Sequence, residues 1–233
     1  MKTVAIMQPY FLPYIGYFQL IAAVDLFIVY DNIKYTKKGW INRNRLLQND
    51  KDVMFSLPLK KDSDSLNVCE RELAADFNRH KLLHQFKNAY RHAPYFAQTF
   101  PLIEQVVAYD QSNLFDFLHH SIVKVCEHLG ITTKIEISSS INIDHALKNQ
   151  DKVVALCEAV SASVYVNTIG GIDLYSKETF HDKGFALKFI QSKPFDYRQF
   201  DSVFVPWLSI IDVMMFNTLE TVQICISTNF ELI

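Results

Sequence analysis

Two arginines one residue apart, interleaved with a tryptophan and two asparagines, mark Trp40-Ile41-Asn42-Arg43-Asn44-Arg45 as a segment able to do chemistry. Guanidinium groups bind oxyanions through two parallel hydrogen bonds, so Arg43 and Arg45 suit a phosphate. A tryptophan beside two amides suits a sugar or a base. On a strand, alternation puts Trp40, Asn42 and Asn44 on one face and Arg43 and Arg45 on the other. The stretch from Lys34 to Lys61 carries eight Lys/Arg against Asp50 and Asp52. A charged edge strand that resists aggregation would account for the same residues.

A second group runs from Gln8-Pro9-Tyr10 through Gly16-Tyr17. It joins an apolar run to a helical one, where ligands of open parallel sheets sit. Helix N-termini there offer free N–H groups to anions. Gly16 lets a ligand approach the backbone, and Tyr10, Tyr14 and Tyr17 surround that position with hydroxyls. Plain aromatic packing is the competing explanation. Asp31 ends the next apolar run, where a carboxylate can bind a substrate hydroxyl or amine or a metal, act as a general base, or cap a turn with Asn32. Asp31 and Tyr17 are the catalytic candidates.

Further along, His80, His84, Lys87 and Arg91 fall within about a 60° arc of one helix, a cationic wall for phosphate or simply a solvated face. Ser209 and Asp212 have the i, i+3 spacing of a capping box or of a ligand contact. Asn167, Gly170 and Gly171 follow a strand and are a weak signal of backbone close to a ligand. There is no Walker A, GxGxxG, GxSxG or Ser/His/Asp order. The eight histidines form no HExxH, and Cys69, Cys126, Cys157 and Cys225 share no CxxC spacing, so no metal site is expected.

The elements that must position these residues alternate. Val4–Gln8, Asp25–Asp31, Lys134–Ser138, Ser163–Asn167 and Ala186–Ile190 read as strands. Tyr14–Ala23, Arg79–His92, Ser112–Leu129, Gln150–Val160, Ser176–Asp182 and Pro206–Phe216 read as helices. Trp40–Leu47 and Val53–Leu59 pair through a turn at Gln48-Asn49-Asp50-Lys51. The pattern predicts an α/β fold: a mostly parallel open sheet, helices on both faces, Rossmann-like, with a hairpin-like basic insert after the second strand. Residues 1–233 are expected to form one domain.

Composition narrows the class. The chain has 233 residues, 49% hydrophobic and 21% charged, which excludes a disordered polymer. A net charge of −2 argues against a polybasic nucleic-acid or membrane binder as a whole, leaving room for a local patch. No apolar stretch reaches membrane-spanning length, the N-terminal apolar run is too short for a signal-peptide core, and the scattered thiols fit a reducing compartment. A cytoplasmic protein without membrane insertion is expected.

Taken together, the stretches MQPYFLPYIGYFQLI, VDLFIVYDNIKYTKKGWINRNRLL, HAPYF, NTIGGIDLY and FVPWLSIIDVMMFN resemble the WbqC-like family across essentially the whole chain. The resemblance implies the company of enzymes that make O-antigens and other surface polysaccharides, often from amino-sugar nucleotides. The family pattern Asn-Pro-x-Gly-Gly has Thr168 in place of its proline here. The start of the chain also looks like the nucleotide-binding corner of HIGH-motif nucleotidylyltransferases. Tyr14 and Tyr17 would replace the two imidazoles there, and tyrosine carries no positive charge at pH 7.

These readings lead to the expectation of a transferase of surface-polysaccharide biosynthesis. It would act on a nucleotide-activated sugar, with acyl or aminoacyl transfer to an amino sugar as one form of the reaction. Arg43, Arg45, Lys87 and Arg91 would hold phosphates; Trp40, Asn42 and the tyrosines would hold the sugar or base. A nucleotidylyltransferase-like enzyme and a non-catalytic sugar-nucleotide-binding subunit remain as alternatives. No cofactor is strongly implied. The partner is a small nucleotide sugar or phosphorylated substrate, not nucleic acid, and a homo-oligomer is left open.

Overall fold

The computed structural model describes residues 1–200 and 203–233. Its centre is a six-stranded sheet. The strands are β1 (Thr3–Met7), β2 (Leu26–Val29), β5 (Lys134–Ile137), β6 (Val164–Thr168), β7 (Ala186–Ser192) and β8 (Phe230–Leu232), in the order β5-β2-β1-β6-β7-β8. The first five are parallel, and β8 runs antiparallel to β7. Solid apolar runs such as Leu26–Val29, buried at every position, are what a strand covered on both faces requires.

The pleat divides the core with period two. Ala5, Phe27, Val29 and Val166 face one cluster of side chains; Val4, Ile6, Leu26, Ile28 and Tyr165 face another. The larger cluster includes α1 (Ile15–Ala22), α2 (Arg79–Tyr90), α3 (Phe96–Ala108), α4 (Leu114–Leu129), α7 (Ile210–Phe216) and α8 (Leu219–Thr228). The smaller one lies under α5 (Asn149–Ala159) and α6 (Lys177–Asp182).

Strand order reverses between β1 and β6, since β1, β2 and β5 step one way and β6, β7 and β8 the other. Ligands of open α/β sheets bind at such a switch, beyond the carboxyl ends of the strands. The segment after β1 therefore begins at a favoured place.

The insert after β2 is a separate antiparallel pair, β3 (Arg43–Gln48) and β4 (Lys51–Ser56). Gln48 pairs with Lys51, so the turn is the two residues Asn49 and Asp50, at φ 51° and 61°. Both residue types tolerate positive φ, which a tight hairpin turn demands. The strand expected from Trp40 starts only at Arg43. The helix expected from Pro206 starts only at Ile210, because Trp207 sits at φ 61° and Ser209 caps the helix by accepting from Ile211 N. Three elements carried no clear pattern in the sequence: α3, which holds Pro101 inside it, α8, and the three-residue β8.

Candidate functional site

Three loops converge on one cavity of about 200 Å³. Its walls are Tyr10, Pro13 and Tyr14 after β1, Trp40, Asn44 and Arg45 at the entry to the hairpin, and Trp207 before α7. The chain has two tryptophans, and both are here. Trp40 is 42% exposed and Trp207 63% exposed, although tryptophan is highly buried on average. Tyr14 meets Trp207 edge-on, with ring centres 6.0 Å apart. The guanidiniums of Arg43 and Arg45 lie 5.8 and 5.5 Å from the centre of Trp40.

The hairpin fixes the other two walls. Asn44 Nδ2 donates to Leu12 O at 2.8 Å and Phe11 O at 3.4 Å, while its Oδ1 accepts from Arg45 N. Ser209 Oγ donates to the same Leu12 carbonyl at 2.7 Å, and Ile210 N donates to Pro13 O. Arg45 donates to Trp207 O at 3.1 Å and pairs with Asp52 at 3.0 Å, and its Nε is buried without a partner among the described residues. Leu12 and Trp207 are non-glycine residues at φ 44° and 61°. Each such conformation costs on the order of 1–3 kcal/mol and persists only where surroundings enforce it, commonly at functional sites. Here consecutive hairpin residues, Asn44 and Arg45, clamp the two strained carbonyls.

Several expected roles change in this geometry. Strand alternation fails before Arg43: Trp40 lies against both arginines and shares the cavity with Asn44 and Arg45, while Asn42 is not among the residues lining it. Both asparagines are occupied by protein: Asn42 accepts from Tyr35 Oη and donates to Leu57 O, and Asn44 is the clamp just described. Arg43 donates through Nε to Gly39 O and through a terminal nitrogen to Lys38 O, which shapes the loop bearing Trp40. It does not present a free fork to a phosphate. Ser209 is buried and committed to Leu12.

The segment after β1 splits likewise. Tyr10 and Tyr14 line the cavity, and burial raises both phenols above their ordinary range. Tyr17 is in the core, its hydroxyl donating to Gln8 O at 2.9 Å, so it positions the loop and cannot touch a substrate. Gln8 accepts weakly from Tyr10 Oη at 3.4 Å. A methyl on Gly16 would lie 2.4 Å from the Tyr14 ring. The glycine therefore makes room for Tyr14 rather than for a ligand.

Asp31 lies at the end of β2 and is not among the residues lining the cavity. Its Oδ1 accepts from Ser138 Oγ at 2.7 Å and Ser139 N at 2.9 Å. Lys152, also buried, donates to Asn32 O and His145 O and stands 5.3 Å from the centre of Tyr30. Burial lowers the Lys152 ammonium from its ordinary value, opposed by Asp31 and Cys69 nearby. Burial, and next the Asp31 carboxylate, push the Cys69 thiol up to about 11. In place of a base reaching into the pocket, Asp31 is a buried anchor that joins the carboxyl ends of β2 and β5.

The remaining candidates are scattered. His80, His84, Lys87 and Arg91 are exposed on α2, and none lines the cavity; the solvated-face reading describes them. Asp212 does not complete a capping box with Ser209. It is fully buried and accepts from Tyr90 Oη at 3.0 Å, Tyr197 Oη at 2.7 Å and Gln199 Nε2 at 2.6 Å. Burial pushes its carboxyl up to about 6. Asn167 is buried at the end of β6, accepting from Thr168 N. A methyl on Gly171 would lie 2.6 Å from Asn167 Nδ2, so that glycine accommodates the amide, while Gly170 faces open space. Among the described residues no group of three His, Cys, Asp or Glu is placed to hold a metal ion.

Sequence reasoning missed Trp207 as a wall and Lys152 as Asp31's neighbour. A signal for Trp207 existed, since it follows Val205-Pro206 immediately before a helix whose apolar pattern does not need it. Lys152 gave none, because one lysine in the first turn of a helix reads as surface.

Two comparisons bear on this arrangement. The model of the WbqC-like protein family matches residues 8–224. An uncharacterized protein of Mycobacterium tuberculosis is 28% identical over 221 residues, covering 93% of this chain and 94% of that protein.

Proposed function

The chain belongs to the WbqC-like protein family, and from that premise we propose that it is a transferase acting on a nucleotide-activated sugar in surface-polysaccharide biosynthesis. The transferred group is an acyl or aminoacyl unit and the acceptor an amino sugar. The setting rests on the family resemblance. The ligand class rests on one observation, the cavity that gathers both tryptophans at the carboxyl end of β1.

The C–H face of a pyranose and the face of a base are flat and apolar, with polar edges. Indole and phenol rings complement such faces, and their N–H and O–H groups meet the edges. At about 200 Å³ the cavity is smaller than the roughly 300 Å³ at which drug-sized pockets begin, so it suits one ring. Arg45 gives one hydrogen bond from one terminal nitrogen to Asp52 and one from the other to the Trp207 carbonyl, so a second N–H on each remains as a donor for an oxygen of the ligand.

A second reading, a non-catalytic sugar-nucleotide-binding subunit, is favoured by a specific absence: among the described residues no carboxylate, imidazole or thiol lines the cavity. One experiment addresses both. Since all tryptophan emission comes from the cavity walls, titration with nucleotide sugars should quench it saturably. Product formation from an acyl donor and an amine-bearing nucleotide sugar supports the transferase. Saturable quenching without turnover supports the binding subunit, and no quenching by any nucleotide sugar rejects both.

A further inference from the structure

We propose that the face formed by Trp40, Met54 and Trp207 docks on an anionic lipid surface. Arg45 and Met54 are directly paired across the hairpin, so their side chains share one face. The Arg45 guanidinium lies against Trp40 and holds the Trp207 carbonyl. Contiguity therefore runs from Met54 through Arg45 to both tryptophans. Met54 is 44% exposed, Trp40 42% and Trp207 63%. Apolar groups gathered this way on a surface mark an interaction site.

The charge around this face selects the occupant. Beside Trp40 lie the Arg43 and Arg45 guanidiniums, and exposed Lys38 precedes it by two residues. Asp52 opposes Arg45 and Asp64 opposes Lys37, while Lys38 is exposed in the loop leading to Trp40 and its carbonyl is held by Arg43. Indoles at an apolar–aqueous boundary, flanked by lysine and arginine, are the chemistry of a protein lying on an anionic bilayer. Nucleic acid fits less well. A single strand needs a continuous cationic track with stacking rings, and Met54 offers no ring. Among the described residues no helix is long and apolar enough to cross a membrane, so docking would be peripheral.

The proposal does not depend on the transferase reading, and its test uses residues outside the cavity. The intact protein is sedimented with vesicles of phosphatidylcholine alone and of phosphatidylcholine mixed with phosphatidylglycerol. Binding to the mixed vesicles, weakened by salt and accompanied by a blue shift of tryptophan emission, is expected. Met54→Asp and Lys38→Glu should each weaken partition roughly tenfold or more, with an unchanged circular dichroism spectrum. Quenching by soluble nucleotide sugars without vesicles judges the ligand reading separately. No sedimentation with mixed vesicles overturns the proposal. So does sedimentation that neither substitution alters, which is adventitious charge attraction. Two other outcomes overturn it in favour of another partner: tight binding of a single-stranded oligonucleotide without vesicle binding, or self-association abolished by Met54→Asp without vesicle binding.

Discussion

The aromatic cavity and the Asp212 network are built from similar side chains in neighbouring stretches of chain, yet they are opposites. Around Asp212, Tyr90, Tyr197 and Gln199 direct donors at one buried carboxylate. Tyr90 in turn accepts from Leu47 N, so the chain of bonds runs from the hairpin through α2 to α7. Every partner is inside the protein. Around the cavity, two tryptophans stand exposed, two backbone carbonyls belong to residues in strained conformations, and a guanidinium N–H has no partner among the described residues. Closed polar networks stabilise and fix a unique arrangement; open, strained, incompletely satisfied ones are where ligands act. The difference sets a closed scaffold network apart from the open wall proposed as the site.

The comparison breaks most directly at Asp212. Asp212→Ala removes the acceptor of three donors in a dry environment, and each orphaned group costs about 1–3 kcal/mol. A loss on the order of 3 kcal/mol or more is expected, lowering the melting temperature by roughly 6–12 °C for a chain of this size. A shift of only a degree or two would mean that water enters the network, and the scaffold assignment fails.

The same residue gives a pH dependence with a definite sign. Its carboxyl is at about 6 when folded, mainly through burial, against about 3.9 in an unfolded chain. The folded protein therefore binds the proton more tightly. The resulting stabilisation is fully present below pH about 4 and is lost as pH rises through about 6. Stability, measured as wild type minus Asp212→Asn, should fall across that window and be flat above it. A difference that rises with pH refutes the assignment.

Asn44→Ala tests the join between the two regions. It frees Leu12 O and Phe11 O from one donor, although Ser209 still holds Leu12. The expected destabilisation is about 1–2 kcal/mol, with a larger loss of ligand quenching than of stability because the strained wall relaxes. Equal losses in the two would place Asn44 with the scaffold.

These outcomes reflect what a sequence displays. The parallel sheet was readable because strands covered on both faces are solidly apolar, as Val4–Ile6 and Leu26–Val29 are. Apolar runs and helical spacing reached the parallel strands and most helices, but not α3, α8 or β8. The cavity was half readable: Tyr10, Tyr14, Trp40, Asn44 and Arg45 were singled out by type, and the structure brings them together. Their roles were not readable, because a side chain's donors and acceptors are claimed by residues far along the chain. Asn44 bonds Leu12, Tyr90 bonds Asp212, and Arg45 bonds Trp207. Local spacing made Ser209 and Asp212 look like one motif, whereas burial sends Ser209 to Leu12 and Asp212 to three partners elsewhere. Clusters such as Asp31 with Ser138 and Lys152 arise only when β2, β5 and α5 are stacked.

Trp207→Gly should have the smallest effect on stability, and it sharpens the contrast most. The side chain is 63% exposed, so little buried apolar surface is lost. Its backbone at φ 61° strains any residue with a Cβ, and glycine adopts that conformation freely. Relief of strain offsets the lost contact with Tyr14, and the larger freedom of glycine in the unfolded chain opposes it by about 0.4–1 kcal/mol. The carbonyl remains, so the bond from Arg45 can persist. The net change should lie within about 1 kcal/mol of zero, measured by urea unfolding. Ligand quenching, now carried by Trp40 alone, should nevertheless be lost or weakened at least roughly tenfold, because one wall of the slot is gone. If instead the variant unfolds several kcal/mol more easily while Trp40 emission still titrates with unchanged affinity, Trp207 is part of the scaffold. The distinction between the open cavity and the closed network would then have to be drawn elsewhere.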